Sequence, residues 1–297
     1  MNFSMPVLSR PPRNVPLTTK LAVLGGGVFT TFGWFFLAFG LLFTWVFAGN
    51  ADWSSLSFHG QLENATGYIT GSDKTHFSVG GSKHSDGTPI YAYHYKFYFN
   101  GADYAGTSYR TGERTSSDEV VPVEFPAGHP EKSRIRGMLR APMSLGVALL
   151  VFIFPLVGLG IVIPSTLIGR KNLRLLANGE LAQGRIVNKE ATNESVNHCT
   201  VYKFTLEFTD VSGQVQHAVV KTEEVEKLEG KPFERLFYNP QDPAHCVALD
   251  CLAGKQGFDE NGELLPNSKS KAIGVLCLPA ISVLVMLGGV WWTFLKK

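Results

Sequence analysis

Apolar positions in this chain gather into three long blocks, separated by two stretches in which apolar and polar residues alternate. The blocks are 21–49 (LAVLGGGVFTTFGWFFLAFGLLFTWVFAG), 141–169 (APMSLGVALLVFIFPLVGLGIVIPSTLIG) and 272–295 (AIGVLCLPAISVLVMLGGVWWTFL). None contains Asp, Glu, Lys, Arg or His, and each exceeds the roughly 20 apolar residues that cross a bilayer as a helix. Trp45, Trp53, Trp291 and Trp292 lie at or near block ends, where amphipathic rings favour the headgroup layer. Three transmembrane helices are therefore expected. The first block is too long for a signal-peptide core of about 7–15 residues and reads as a retained anchor. Pro155 and Pro164 in the second block leave two readings, a kinked span or a re-entrant hairpin. The kinked span is preferred, because a half-length hairpin exposes backbone to lipid.

Between the blocks the period changes to two. Tyr93, Tyr95, Phe97 and Phe99 alternate with polar residues and meet a turn at Asn100-Gly101. Tyr202, Phe204, Leu206 and Phe208 do the same before a turn at Asp210 to Gly213. Such alternation predicts half-buried strands joined as hairpins. Each stretch opens alike, with GYIT at 67–70 and GRIV at 184–187. Each also ends alike: VEFPAGHPEKSRIRG (123–137) aligns without gaps on LFYNPQDPAHCVALD (236–250), placing Phe125 on Tyr238, Pro130 on Pro243 and Ile135 on Ala248. In both, a strand runs into a proline-bounded turn, and proline lacks the donor that would continue a ladder. The expected fold is membrane α plus β: three transmembrane helices with two duplicated small antiparallel β-sheet or barrel-like domains. Its parts are an N-terminal tail 1–20, helix 21–49, first β-domain 50–140, helix 141–169, second β-domain with C-terminal linker 170–271, and helix 272–295.

Charge orients this arrangement. Arg10, Arg13, Lys20, Arg170, Lys171, Arg174, Arg185, Lys255, Lys269 and Lys271 would share one side. Lys132, Arg134, Arg136, Arg140, Lys296 and Lys297 would share the other. The excess predicts a cytoplasmic N-terminus, an extracytoplasmic first β-domain and a cytoplasmic second one. Cys199, Cys246 and Cys251 form an odd set in the second stretch, which suits a reducing compartment. Were that stretch outside, Cys246 and Cys251 would be a candidate disulfide. A net charge of +2 with 18% charged residues argues against a nucleic-acid partner.

A domain that opens G-x-hydrophobic-V, continues through an aromatic strand and closes on Y-[ND]-P-x-x-P before a span resembles the bacterial family called domain of unknown function 3592. The better match is Gly184 to Asp250, with YNPQDP at Tyr238 to Pro243; in the other copy Pro126 and Ala127 replace Asn239 and Pro240. The resemblance implies small sheet domains tethered to a bacterial inner membrane, and no activity.

Candidate chemistry is sparse. His198-Cys199 and His245-Cys246 supply ligand types for zinc, but neither has the close Cys-x₂-Cys spacing of strong zinc motifs. Neighbouring strand residues also point to opposite faces. Surface histidines and small buried thiols are expected instead, so no metal, cofactor or catalytic residue is assigned. His76, His84 and His94 stand without a G-x-S-x-G elbow, an H-E-x-x-H helix or a phosphate loop. VGGSKHSDG (79–87) reads as an expanded hairpin loop, KTEEVEKLEGK (221–231) as a short helix or solvated loop, and DENGELLPNSKSK (259–271) as a flexible linker. The spans lack the ionisable residues usual in transporters. Gly26, Gly33, Gly40, Gly158, Gly160, Gly288 and Gly289 suit close helix packing, within the chain or in a homo-oligomer. The expected function is a non-enzymatic interaction or scaffold role with lipid and protein partners and no small-molecule substrate. An accessory subunit of a membrane enzyme or transporter is the alternative, and a cryptic hydrolase or metal-binding envelope protein the third.

Overall fold

The structure, a computed structural model, describes residues 8–81, 87–196, 199–222, 225, 228, 233–254 and 256–295. Its helices are α1 (Leu17–Gly25), α2 (Val28–Gly49), α3 (Leu145–Val151), α4 (Ile153–Asn178) and α5 (Lys269–Leu295). Three stretches are long and apolar enough to cross a membrane: Val28–Gly49, Leu145–Asn178 and Lys269–Trp291.

The first apolar block does not form one helix. Gly26 closes α1, its N–H donating to the Ala22 carbonyl at 2.8 Å, and α2 begins two residues later. Consecutive glycines carry the highest backbone entropy cost in a helix, so the break falls there. α4, by contrast, runs through Pro164, so no re-entrant hairpin forms. The Thr166 hydroxyl donates to the carbonyls of Val162 at 2.7 Å and Ile163 at 2.9 Å, finding its partners within the helix. α4 also extends nine residues past the end of the apolar block, to Asn178. Over that extension Leu175 and Leu176 are buried while Lys171, Arg174 and Asn178 are exposed, an amphipathic final stretch.

The chain divides into two compact units, residues 1–38 with 155–285 and residues 39–154 with 286–297. The latter holds β1 (Leu62–Val79), β2 (Thr88–Phe99), β3 (Ala102–Thr111), β4 (Val120–Pro126) and β5 (Arg134–Ile135), in the sheet order β3-β2-β1-β4-β5. The former holds β6 (Glu180–Val196), β7 (Cys199–Thr209), β8 (Val215–Thr222), β9 (Phe233–Asn239) and β10 (Asp242–Ala248), in the order β10-β9-β6-β7-β8. With strands numbered within each sheet, the two orders are the same. All the pairings are antiparallel. In the second sheet β10 also lies against β8, which brings that sheet close to a barrel.

Register matches in detail. Val123 pairs Ile135 and Leu236 pairs Ala248, as the gapless alignment of the two strand endings requires. β4 and β9 share one alternation of buried and exposed positions. The long strands β1 and β6 each shift register twice against the next strand. The shifts fall between Ile69 and Gly71 and between Lys74 and Ser78 in β1. They fall between Ile186 and Asn188 and between Ala191 and Ser195 in β6, the same places counted from Gly67 and Gly184. Those glycines are needed where they stand. A Cβ on Gly67 would lie 2.8 Å from the Lys96 carbonyl oxygen, and one on Gly184 2.8 Å from the Leu236 side chain. The Asn100-Gly101 turn has positive φ at both residues (48° and 85°), the geometry of a tight hairpin connection.

Each sheet has its own core. Ile69, Tyr93, Tyr95, Phe97, Val123 and Phe125 fill the first; Phe204, Leu206, Phe208, Leu228, Leu236 and Tyr238 fill the second. Leu228 is fully buried there, so part of the mixed-charge run 221–231 is core; the described residues of that run are few. The opposite face of the second sheet carries a further cluster built from Val15, Val23, Leu175, Leu176, Phe237, Leu249, Leu252 and Leu264. This cluster overturns one expectation. The stretch 259–271 is not a loose linker: Asp259 accepts the backbone N–H groups of Asn261 and Glu263, Phe258 bridges Leu264, and Leu264 and Asn267 are buried. The N-terminal tail docks here as well. Ser9 N–H donates to the Gly262 carbonyl, the Thr19 hydroxyl to that of Leu265, and Arg13 N–H to that of Ala177.

Candidate functional site

The turn after β9 brings the sequence's most distinctive motif to the end of α4. Tyr238 is buried, and its hydroxyl accepts the Val211 N–H at 2.9 Å, tying the motif to the β7–β8 turn. Burial is the main cause raising the Tyr238 pKa. Asn239 accepts the Gln241 N–H at 3.1 Å through its side-chain oxygen, a local turn of the kind that asparagine favours.

His245 and Cys246 then part, as adjacent strand residues must. His245 is exposed and its Nδ1 lies 3.1 Å from Asp242 Oδ2. Cys246 packs against the second core, and burial pushes its thiol up to about 11. A thiol so poised is neither a ready nucleophile nor a ready metal ligand near neutral pH. Its counterpart in the first sheet is Ser133, which accepts a hydrogen bond from Tyr95 at 2.9 Å. By register, Tyr95 corresponds to Leu206, since Ile69 pairs Tyr95 and Ile186 pairs Leu206. A buried tyrosine–serine pair in one sheet is thus answered by leucine and cysteine in the other. Cys246 and Cys277 are free thiols. Cys199 opens β7; His198 and His84 lie outside the described residues. No group of three or more metal-ligating side chains occurs among the described residues.

One triad-like row exists on the first sheet. Asp73 Oδ2 lies 3.1 Å from His94 Nε2, and His94 Nδ1 lies 3.0 Å from Thr107 Oγ1, across β1, β2 and β3. His94 and Asp73 are 45% and 76% exposed, on an open strand surface. A general base gains its effect from an enclosed, oriented setting, and this row has the geometry of cross-strand surface pairing instead. The buried hydroxyls of Ser108 and Ser133 serve the fold: Ser108 accepts the Ile135 N–H at 2.9 Å and Ser133 accepts from Tyr95.

A cleft of about 330 Å³ is lined by Lys171, Arg174, Leu175, Asn178, Gly179, Asn239 and His245. Lys171, Arg174 and Asn178 recur at helical spacing on one face of α4, while Asn239 and His245 come from the turn and strand opposite. Among the described residues neither Lys171 nor Arg174 has a carboxylate partner. From the other side of the helix end, Arg13 is buried, with Nη1 2.6 Å from the Gly179 carbonyl oxygen and its guanidinium 5.3 Å from the centre of the Phe237 ring. It occupies carbonyls at and just past the end of α4, where a helix leaves its negative end unpaired. Sequence reasoning had Lys171 and Arg174 only as topological charges. The signal that joins them to Asn178 is the helical period continuing past Gly169. Nothing local joins them to Asn239 and His245.

No protein-family model, curated protein or solved structure matches this chain.

Proposed function

We propose that the protein is a three-span bacterial inner-membrane protein whose β-units, copies of one ancestral module related to domain of unknown function 3592, act as non-enzymatic interaction domains. The membrane part rests on exposed apolar side chains along the helices, among them Phe29, Phe32, Phe35, Phe39 and Leu42 on α2 and Leu284, Met286, Leu287 and Val290 on α5. Patches of this size are untenable in water and natural in lipid. The duplication is supported by the shared strand order, the shared register and the coincident bulges. The docking of residues 9–19 on 177–179 and 262–265 supports a common side for the N-terminus and the second β-unit. Three crossings then put the first β-unit on the opposite side, and the distribution of Lys and Arg makes the N-terminal side cytoplasmic.

The observation that carries the interaction role is the stagger of β1. β4 pairs with β1 only from Leu62 to Tyr68, and β2 pairs with it from Gly67 to Val79. Asp73, Lys74, Ser78 and Val79 thus have ladder partners on β2 alone, leaving backbone donors and acceptors for an added strand, while 75–77 form the register shift, where the Phe77 N–H donates to the Thr75 hydroxyl. A photocrosslinker placed at Ser78 should capture a partner chain or a second copy, and one at Lys96, on a strand paired on both sides, should not. Absence of adducts at every position from 73 to 79, with a monomer in mild detergent, would overturn the scaffold role. Topology has a separate test. In a chain otherwise free of cysteine, an impermeant maleimide applied from outside should label Asp103→Cys and spare Ser212→Cys. Labelling of both would remove the three-span arrangement, and the reverse pattern would invert it.

A further inference from the structure

We propose that the cleft between α4 and the β9–β10 turn binds the phosphate of an anionic phospholipid headgroup, with Lys171 and Arg174 as its cations and Asn239 as an orienting donor. This rests on the three-span reading above and goes beyond it. The apolar block of α4 ends at Gly169, and at about 1.5 Å rise per residue Lys171 and Arg174 follow about 3 and 7.5 Å further along the axis. Measured from the last apolar turn, that is headgroup depth, and basic pockets at this level select anionic lipids.

The donor chemistry agrees. Arg presents a planar fork suited to two phosphate oxygens, and Lys adds a compact charge. Asn239 lines the cleft and spends its side-chain oxygen on the Gln241 N–H, which leaves its amide nitrogen as a donor. Two carboxylates lie close in the sequence and must be reckoned with. Asp242 is engaged by His245 at 3.1 Å. Glu180 exerts its field on Arg13 and Tyr238. Arg13 in turn holds the Gly179 carbonyl, just past the end of α4, and so offsets the negative end of that helix. A cleft of about 330 Å³ accommodates a phosphodiester headgroup, and its single apolar wall, Leu175, continues the apolar face of the helix.

The test uses the full-length chain in nanodiscs and by native mass spectrometry from zwitterionic detergent. The wild type should retain phosphatidylglycerol in preference to phosphatidylcholine. K171A and R174A should each weaken that retention about fivefold, and the pair some 25-fold, for charges near a membrane surface. R170A, which removes a neighbouring charge outside the cleft, should leave it unchanged. N239D preserves the acceptor for Gln241 and adds a negative charge, so it should weaken retention without disturbing the turn. Unchanged thermal unfolding of all five variants keeps folding out of the comparison. Equal loss in R170A, or undiminished retention in both K171A/R174A and N239D, overturns the site. Displacement of lipid by millimolar inorganic phosphate at equal occupancy overturns the lipid assignment in favour of a free anion. Release of the wild-type chain from membranes by alkaline carbonate would instead refute the membrane reading beneath it, and is scored separately.

Discussion

Arg13 binds the end of a helix more than 160 residues away, with its guanidinium on the Gly179 carbonyl oxygen and its backbone N–H on that of Ala177. A charged donor to a buried carbonyl contributes more than a neutral one, and helix ends leave carbonyls that need such partners. Arg13→Ala should therefore lower unfolding stability by about 2 kcal/mol, and Arg13→Lys should recover only part of that, as read from thermal melts in detergent. Cys246 makes the opposite kind of prediction. Its thiol, pushed up to about 11 by burial, should alkylate far more slowly at pH 8 than an unfolded-chain cysteine, and accelerate as pH approaches 11. The linkage has a definite sign. The unfolded thiol ionises near 9 and the folded one near 11, so ionisation favours the unfolded chain, and stability falls as pH rises through 9 to 11. Mass-spectrometric labelling and pH-dependent melts check both. At this scale the sequence was partly legible. The opposite facing of His245 and Cys246 follows from strand geometry alone. The role of Arg13 was hidden, because its partners are backbone atoms of distant residues that leave no trace in residue type.

Elements show where local pattern suffices. Alternating aromatics and the Asn100-Gly101 pair mark β2, its turn and β3, because hairpin geometry is set by neighbours in sequence. The strand endings could be aligned by eye, and their ladders pair Val123 with Ile135 and Leu236 with Ala248. The β7–β8 turn depends on Asp210, which accepts from Ser212 N and Oγ, Gln214 N and Gln216 Nε2. Led by the Ser212 hydroxyl, these bonds hold its carboxyl down at about 2 against an ordinary 3.8. The stabilisation is present above pH 4 and is lost as pH falls toward 2, because the unfolded state then binds the proton first. Asp210→Ala should abolish that acid dependence and raise amide exchange in the turn. Among the helices, a Cβ on Gly158 would lie 2.6 Å from the Leu37 backbone nitrogen and 2.9 Å from the Gly33 carbonyl oxygen. Gly158→Leu should cost about 1–3 kcal/mol by forcing α2 and α4 apart. Gly160, by contrast, has open space at its Cβ position, so Gly160→Leu should be tolerated, and melts of the two variants compare them. Small-residue composition alone gave both positions equal weight, since only the rotation of each helix separates them.

Across the whole molecule, what composition reveals is the sorting of apolar mass into spans and sheets. What it conceals is long-range docking. Leu264 and Asn267 read as linker residues because their neighbours in sequence are polar and flexible, yet they are buried against the N-terminal segment. Each sheet has a separate core, so damage should stay local. Phe97→Ala should remove about 3–5 kcal/mol from the first sheet and raise amide exchange in β1–β4, while exchange in β6–β10 remains that of the wild type.

The clasp between the first residues and the stretch 262–267 also imposes an order on biosynthesis. Ser9 and Thr19 leave the ribosome well before their acceptors Gly262 and Leu265, which follow 253 and 246 residues later. Arg13 of the amino-terminal strap can dock on Ala177 and Gly179 first, and the final step of the clasp, at Gly262 and Leu265, waits until two spans and both β-units are laid down. A bulky fusion at the amino terminus would intrude on that final step, whereas a fusion at the carboxyl terminus would leave the strap free.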